Sequence, residues 1–246
     1  MKKFFSLLLS FLLLFSLSAC ERKDVELALD MALTVLEEME LHQNRQESSA
    51  DSLEEIPPFS GEAYIPINGN VPFFLEEEIT TESYEDYAEL DSLGRCGVTM
   101  ACIGVDIMPT EDRGDIGSVK PSGWKSVKYD IVEGKYLYNR CHLIGFQLAG
   151  ENANKRNLIT GTRYLNIEGM LPFENLVADY VKETENHVMY RVTPIFEGDD
   201  LVAQGVVMEG WSVEDDGEGV CFCVFAYNAQ PGITIDYATG ESWLTK

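Results

Sequence analysis

The sequence predicts an α+β domain built on a mainly antiparallel sheet. Three strand candidates follow one another near the C-terminus, separated by turns rich in Gly and Asp. One amphipathic helix precedes them, and strands and helices do not alternate regularly along the chain. Regular alternation is typical of a doubly wound parallel sheet, so this order favours antiparallel pairing.

The predicted elements begin at a turn. Residues 68–70, Asn-Gly-Asn, separate two short apolar runs and predict a hairpin of residues 63–67 with residues 71–75. Further runs of apolar and β-branched residues predict strands at residues 101–107, 136–144, 188–196, 201–213 and 220–227.

A helix is predicted from Pro172 to about residue 183. Proline suits the first helical turn, where its missing N–H has no intrahelical acceptor. Four apolar side chains then fall on one face at helical spacing: Phe173, Leu176, Val177 and Tyr180.

The first nineteen residues are predicted to be a signal peptide. Two lysines precede an apolar run that is too short for a comfortable membrane span. The small residues before Cys20 resemble a bacterial lipobox, in which that cysteine carries two acyl chains that anchor the protein to the membrane. The alternative is a plain signal peptide with an incidental cysteine. Either way the protein is expected outside the cytoplasmic membrane, lipid-anchored on its outer face or secreted.

Residues 20–60 are predicted to form an acidic stalk, and residues 61–246 the folded domain. Apolar residues at helical spacing predict a helix over residues 24–41, and the polar segment that follows ends in Pro57-Pro58, as flexible linkers do. The stalk is either a spacer or a partner-binding helix, and the sequence identifies no protein partner.

The composition excludes two classes of protein. Of 246 residues, 45% are hydrophobic, which excludes a wholly disordered chain. Acidic residues number 42 against 18 basic ones, and the net charge of −24 argues against a basic protein that coats nucleic acid. The charge is uneven, however, because residues 113–163 hold nine basic and four acidic side chains. This segment predicts a local surface for a polyanion, unless its charges are ordinary solvated residues of loops.

Five cysteines follow Cys20, and their pairing is left open by the sequence. Cys96 and Cys102 are close enough for a small disulfide loop, but connectivity cannot be deduced from spacing. No pair is spaced as Cys-x-x-Cys, so a structural zinc site is not expected.

One of the three histidines has a chemically suggestive neighbourhood. His142 shares a predicted strand face with Arg140, and Asn157, Asn166 and Glu174 follow it. A base, a fixed cation and oxygen ligands suit metal-assisted hydrolysis of a phosphodiester. The alternative is a structural histidine in an apolar strand.

Residues 61–240 resemble the DNA/RNA non-specific endonuclease family, the ββα-metal or His-Me finger nucleases, and in particular its streptodornase-like branch. The family signature Asp-Arg-Gly-His corresponds to residues 139–142, Asn-Arg-Cys-His. The metal-binding asparagine of the family and the glutamate eight residues later correspond to Asn166 and Glu174, and another family asparagine to Asn157. Residues 112–114 and 119–124 match in order as well. The resemblance implies a ββα-metal finger core on the antiparallel sheet.

The resemblance also implies roles for these residues. His142 is expected to act as general base, with Mg²⁺ or alternatively Mn²⁺ at Asn166, and Glu174 as hydrogen-bond acceptor for water on the metal. Arg113 and Arg140 are expected to neutralise the phosphate, and Asn157 to orient the loop of the site. The remaining basic residues expected to contact nucleic acid are Lys120, Lys155, Arg156 and Arg163. DNA is the implied substrate, RNA is left open, and the products carry 5′-phosphates.

Two positions depart from the family signature. Asn139 replaces an acid, and Cys141 replaces a glycine, which excludes a backbone conformation that only glycine tolerates. The competing function is therefore a lipid-anchored extracellular protein that binds DNA with little or no cleavage. Asn166 could alternatively cap a helix, Glu174 could complement a helix dipole, and core packing is favoured over base stacking for Trp124, Tyr136 and Tyr138.

Overall fold

Ten strands and two α-helices make up the computed structural model, which describes residues 56–246. The strands, in chain order, are β1 Tyr64–Pro66, β2 Tyr84–Tyr87, β3 Thr99–Ile103, β4 Tyr138–His142, β5 Leu158–Thr162, β6 Val188–Ile195, β7 Gly205–Ser212, β8 Cys221–Tyr227, β9 Ile233–Ile235 and β10 Ser242–Leu244. The α-helices are α1 Phe146–Ala149 and α2 Leu171–Thr184.

Six of these strands form the central sheet, in the order β1-β8-β7-β6-β3-β2. Every neighbouring pair is antiparallel. The predicted α+β class with a mainly antiparallel sheet is confirmed. Two smaller antiparallel pairs, β4 with β5 and β9 with β10, complete the strands of the described range.

One hydrophobic core joins the sheet, the β4–β5 hairpin and α2. Val177, Ala178 and Val181 form the buried face of α2 and belong to the same apolar cluster as Cys141 of β4 and Met208 of β7. Burial of such side chains contributes roughly 25 cal/mol for each Å² of apolar surface removed from water. The hairpin that carries His142 is therefore held by the main core of the domain.

The entry into α2 is a π-helical segment, Leu165–Met170, which contains Asn166. Pro172 follows it in the first turn of α2 and has no N–H to donate to the carbonyl of Glu168. The sequence predicts the start of a helix at Pro172, but the helical chain begins before it. Wide turns of this kind occur frequently at functional sites.

The predicted hairpin at residues 63–75 is wrong. Asn68–Asn70 does form a tight turn, with positive φ at all three residues, but residues 71–75 form no strand. β1 pairs instead with β8, 158 or more positions away in the chain. Local turn chemistry identified the turn, whereas the pairing depends on long-range packing.

The predicted strands are present, but several are shorter than predicted. The structure limits the prediction of 101–107 to Thr99–Ile103, that of 136–144 to Tyr138–His142, and that of 201–213 to Gly205–Ser212. β2, β5, β9 and β10 were not predicted from the sequence.

The predicted signal peptide, Cys20 and the stalk helix lie outside the described residues, so these assignments remain predictions. Residues 56–60 precede the predicted start of the domain but already contact it: the Tyr227 hydroxyl donates to the Pro57 carbonyl at 2.8 Å, and Phe59 packs on Tyr227. Among residues 56–246, no helix is both long and apolar enough to cross a membrane.

All five cysteines within the described range are free thiols. The Sγ of Cys96 lies 3.3 Å from the Leu158 carbonyl oxygen, and that of Cys102 lies 3.1 Å from the Thr80 carbonyl oxygen. These two side chains contact different segments, so the disulfide loop that their spacing allows is not formed.

Cys141, at the glycine position of the family signature, lies in the middle of β4 with ordinary strand geometry. It is fully buried and has no positive φ, so this position does not need the backbone freedom of glycine. Space for its sulfur comes from β5, because a Cβ atom added to Gly161 would lie only 2.3 Å from the Cys141 Sγ. The glycine-only conformation that a cysteine excludes is therefore not adopted at this position.

We expect Gly161→Ala to destabilise the domain by about 1–3 kcal/mol, since the new methyl group overlaps the Cys141 sulfur in a packed core. Cys141→Gly removes that sulfur and should recover part of the loss. Urea unfolding of the two single variants and the double variant measures this coupling. If the losses of unfolding free energy in the two single variants add up to that of the double variant, the two positions do not share this space.

Candidate active site

A cavity of about 790 Å³ opens beside the β4–β5 hairpin and the start of α2. Its lining includes residues from the predicted basic segment and from the helix that follows. Six of the sequence-predicted site residues line it together: Arg113, Arg140, His142, Arg163, Asn166 and Glu174.

His142 is the last residue of β4 and is only 6% exposed. Its Nε2 lies 2.8 Å from the Asn152 carbonyl oxygen, and its Nδ1 lies 3.1 Å from Nη2 of Arg113. A carbonyl oxygen can only accept and a guanidinium can only donate, so Nε2 carries the proton and Nδ1 carries the lone pair. The imidazole is therefore neutral, and Nδ1 is its basic atom.

The environment of His142 lowers the pKa of the imidazole below its ordinary value. Burial disfavours the charged ring, and the positive charge of Arg113 acts in the same direction, whereas the Asn152 carbonyl opposes them. The ring thus stays neutral to a lower pH than a free imidazole does.

Arg113 reaches His142 from an exposed loop 29 residues earlier in the chain. The sequence-based assignment paired this arginine with a substrate phosphate. In the structure its guanidinium contacts Nδ1 of His142, the ring nitrogen that would act as the base, and both side chains line the cavity. Arg113 is thus the cation in direct contact with the basic atom of His142.

Arg140 is held by protein groups. Its Nε donates to the Val119 carbonyl at 2.5 Å, its Nη2 donates to the Gly117 carbonyl at 2.9 Å, and its guanidinium lies 4.1 Å from the ring centroid of Trp124. Arginine stacks on aromatic faces and donates in a fixed fork, so these contacts fasten residues 117–124 to β4.

Asn157 is completely buried at the start of β5. Its Oδ1 accepts from the Ile144 N–H at 2.8 Å, and its Nδ2 donates to the Ile144 carbonyl at 3.0 Å. These two hydrogen bonds take the place of backbone pairing between strands beyond the end of β4. It fixes the turn that carries Gly145 along the cavity wall.

Glu174 projects from the first turn of α2 against Gly145. A Cβ atom at Gly145 would lie 2.6 Å from the Glu174 carboxylate, so this close approach requires glycine. Burial raises the pKa of Glu174 to about 7, although the Gln147 side chain and the charge of Arg113 act to lower it. A carboxylate in such a place is stabilised by a cation or by a proton.

Asn166 lies on the π-helical segment and faces the same cavity. Within residues 56–246, no protein group hydrogen-bonds its side chain, so its amide oxygen is available to a ligand. This part of the chain also holds no cluster of three or more His, Cys, Asp or Glu residues that could enclose a metal ion. One amide oxygen with a nearby carboxylate fits a cation such as Mg²⁺, which prefers oxygen ligands and retains several waters.

Part of the basic segment is paired with acids. Ion pairs engage four of its nine cations, namely Lys125 with Glu241, Lys135 with Asp130, Arg156 with Glu89 and Arg163 with Glu133. Of the four residues predicted to contact nucleic acid, Arg163 lines the cavity, with a buried Nε that has no partner in the described range. Lys120 and Lys155 are exposed, and Arg156 is held by Glu89 and the Tyr87 carbonyl.

Sequence reasoning missed two contributors to the site, Asn152 and Gly145. Asn152 acts through its backbone carbonyl on His142, and such a contact leaves no trace in residue type. Gly145 was detectable only as a glycine after a strand. Of the three aromatic residues considered, Tyr138 is buried as expected, Trp124 packs under Arg140, and Tyr136 is 48% exposed in the cavity.

A hairpin whose first strand ends in a histidine, followed by a helical segment that carries an asparagine and a glutamate, defines the ββα-metal class of nuclease folds. A sequence profile described as DNA/RNA non-specific endonuclease matches residues 76–213, more than half of the chain. The chain belongs to this family.

Solved structures of nucleases share the fold. NucA from Streptococcus agalactiae, solved with a magnesium ion bound, is 26% identical, with a TM-score of 0.68 over 83% of this chain and 95% of NucA. The Sda1 nuclease, solved with a zinc ion, is 24% identical, with a TM-score of 0.61 over 75% of this chain and 97% of that one. A third structure, described as an extracellular endonuclease, is 21% identical, with a TM-score of 0.53 over 76% of this chain and 100% of that one. Because the last two structures are less than 25% identical to this chain, they support the shared fold alone.

We expect Arg113→Gln to raise the pKa of His142, because it removes the positive charge that opposes protonation of the ring. NMR titration of the imidazole C–H resonances measures this directly. Arg156→Gln is the matched control, since that arginine is bound to Glu89 away from His142. An unchanged or lower pKa in Arg113→Gln would contradict the contact between Arg113 and the ring.

Proposed function

We propose that this protein is an exported, metal-dependent endonuclease that hydrolyses phosphodiester bonds of DNA without sequence specificity. The observation that carries this proposal is the neutral His142, whose Nδ1 lone pair lies in a cavity that also holds Arg113, Asn166 and Glu174. Family membership gives the reaction class, and RNA is the second polymer to be tested.

His142 is the general base in this proposal. Its Nδ1 takes a proton from a water molecule that attacks the phosphorus atom, while the Asn152 carbonyl holds the Nε2 proton and stabilises the imidazolium that forms. Because Arg113 contacts Nδ1 in the free protein, its guanidinium has to turn towards the phosphate before the base can act. Its forked donors then neutralise charge on the phosphate oxygens.

Asn166 and Glu174 are the residues that would hold Mg²⁺, with Mn²⁺ as the alternative ion. NucA was solved with magnesium and the Sda1 nuclease with zinc, so the relatives alone do not fix the ion for this chain. When bound, Mg²⁺ supplies positive charge that stabilises the phosphate and the leaving 3′ oxygen, which leaves a 5′-phosphate on the other product. Asn166 would contribute a neutral oxygen to the ion, and Glu174 would accept a hydrogen bond from a water that the ion retains.

Arg140 and Asn157 act as positioning residues in this proposal. Arg140 holds residues 117–124 against β4, and Asn157 holds the turn that presents Gly145 to Glu174. Nucleic acid is contacted by Arg163 inside the cavity and by Lys120, Lys155 and Arg156 outside it. Contacts to phosphate carry no base information, which accounts for the lack of sequence specificity.

The proposed location rests on the first twenty residues, because the predicted signal peptide with Cys20 would hold the enzyme on the outer face of the membrane. The charge of −24 lets such an enzyme release its polyanionic product.

His142→Ala should lower the rate of DNA cleavage by roughly 10²–10⁴-fold, because it removes the general base. Plasmid nicking with Mg²⁺, and with EDTA as a blank, measures the rate, and circular dichroism checks the fold. His187→Ala is the matched control, since His187 pairs with Glu214 outside the cavity. Unchanged cleavage by His142→Ala would refute the role of the base, and DNA binding without cleavage by the wild type would support the competing DNA-binding function.

Asn166→Ala should weaken Mg²⁺ binding by at least about tenfold, because the variant lacks the amide oxygen in the cavity. Calorimetric titration with Mg²⁺ gives the affinity independently of activity. Asn166→Asp keeps an oxygen at this position and should bind the ion far better than Asn166→Ala. Equal affinities for the wild type and Asn166→Ala would exclude Asn166 as a ligand.

Cys20→Ser should move the protein from the membrane fraction to the medium or the soluble fraction, because the acylated side chain is lost. Metabolic labelling with a fatty-acid analogue, followed by fractionation of the cells, measures both the acylation and the location of the protein. A wild-type protein that takes up no label would favour the plain signal peptide.

A further inference from the structure

Asn152 contacts His142 and the residue next to Arg113 through different atoms. Its backbone carbonyl accepts from His142 Nε2 at 2.8 Å, and its side-chain Oδ1 accepts from the Gly114 N–H at 2.7 Å. Gly114 is the residue directly after Arg113. The contacts therefore form a closed ring, from Arg113 through Gly114 and Asn152 to His142 and back to Arg113.

The Arg113 loop has few other connections. Between residues 109 and 116, two hydrogen bonds reach other elements of the described domain, Arg113 to His142 and Gly114 to Asn152. The first of these has to break when Arg113 turns to the phosphate. The bond to Asn152 would then be the remaining hydrogen bond that keeps this stretch of the loop in place.

Close packing supports a dedicated contact. A Cβ atom added to Gly114 would lie 3.3 Å from Asn152 Oδ1, which is tighter than an ordinary contact. Glycine at this position lets the loop approach Asn152 closely enough for the hydrogen bond.

We propose that the Asn152 side chain is a positioning residue that holds the Arg113 loop in register with His142 while Arg113 transfers from the ring to the substrate phosphate. This inference rests on the proposed nuclease function. Asn152 touches no reacting atom. Its side-chain Nδ2 donates to the Gly150 carbonyl at 3.4 Å within its own loop, and its Oδ1 reaches the site through Gly114 and Arg113. Its backbone carbonyl acts on His142, and substitution of the side chain leaves this carbonyl in place.

A double-mutant cycle tests the proposal. Asn152→Ala should lower kcat/KM for DNA cleavage by roughly 10–100-fold, because a misplaced group costs about that much. Added to Arg113→Ala, it should cause less than a threefold further loss, since the residue through which it acts is gone. Asn152→Asp keeps an acceptor for the Gly114 N–H and should recover most of the activity at a pH at which the imidazole of His142 is neutral.

The matched control is Asn154→Ala. Asn154 lies in the same loop, and its Oδ1 also accepts a backbone N–H, that of Arg156, but it does not contact the Arg113 loop. Its loss should change kcat/KM less than threefold. Asn152→Leu, which keeps the bulk of the side chain, serves as a second variant if Asn152→Ala does not fold.

NMR titration of His142 gives a readout that needs no activity. Release of the Arg113 loop withdraws a positive charge from the ring, so the pKa of His142 should rise in Asn152→Ala in the same direction as in Arg113→Gln. A loss of activity in Asn152→Ala that multiplies with that of Arg113→Ala, or an Asn152→Ala variant that behaves like Asn154→Ala, would overturn the proposal. A wild type that cleaves no DNA would refute the proposed function instead, and the titration would still decide whether Asn152 holds the loop.

Discussion

The site depends on one hydrogen bond, from His142 Nε2 to the Asn152 carbonyl oxygen. Because a carbonyl cannot donate, this bond fixes the tautomer and leaves the lone pair on Nδ1, at the side of the ring that Arg113 reaches. The bond in turn requires a fixed position of the 150–157 loop. Asn157 provides that position, because its buried amide ties the end of this loop to Ile144. The core beneath β4 and α2 holds both partners in place.

The ion pairs of the basic segment say more about how the molecule attracts a polyanion than its net charge does. Four cations of the basic segment already face acids of the same domain, and Arg140 is committed to backbone carbonyls. Exposed ion pairs of this kind contribute little to stability, so they can be exchanged for substrate phosphates at small cost. The attraction for nucleic acid is therefore local and modest, within a body that repels polyanions.

The sequence predicted the fold class and six of the residues that line the cavity, because the family motifs retain their order and spacing over the hairpin and the helix. The pairing of β1 with β8 was not predictable, since the local turn signal at residues 68–70 is equally compatible with a hairpin. The contacts of Arg140 and Asn152 were not predictable for a different reason. They involve backbone carbonyls, which all residue types share, so no pattern of side chains indicates them. The compensation between Cys141 and Gly161 is likewise a property of two neighbouring strands, visible only in their packing.

The free thiols have a consequence for where this domain can fold. Small exported proteins commonly rely on disulfides to restrict the unfolded chain, yet the five cysteines between residues 56 and 246 are unpaired, and four of them are buried among apolar or backbone groups. Burial raises the pKa of the Cys96 thiol to about 11 and that of Cys102 to about 12, which suppresses the reactive thiolate. The described fold therefore needs no oxidising step to reach its native state, and it tolerates reducing surroundings as well as oxidising ones.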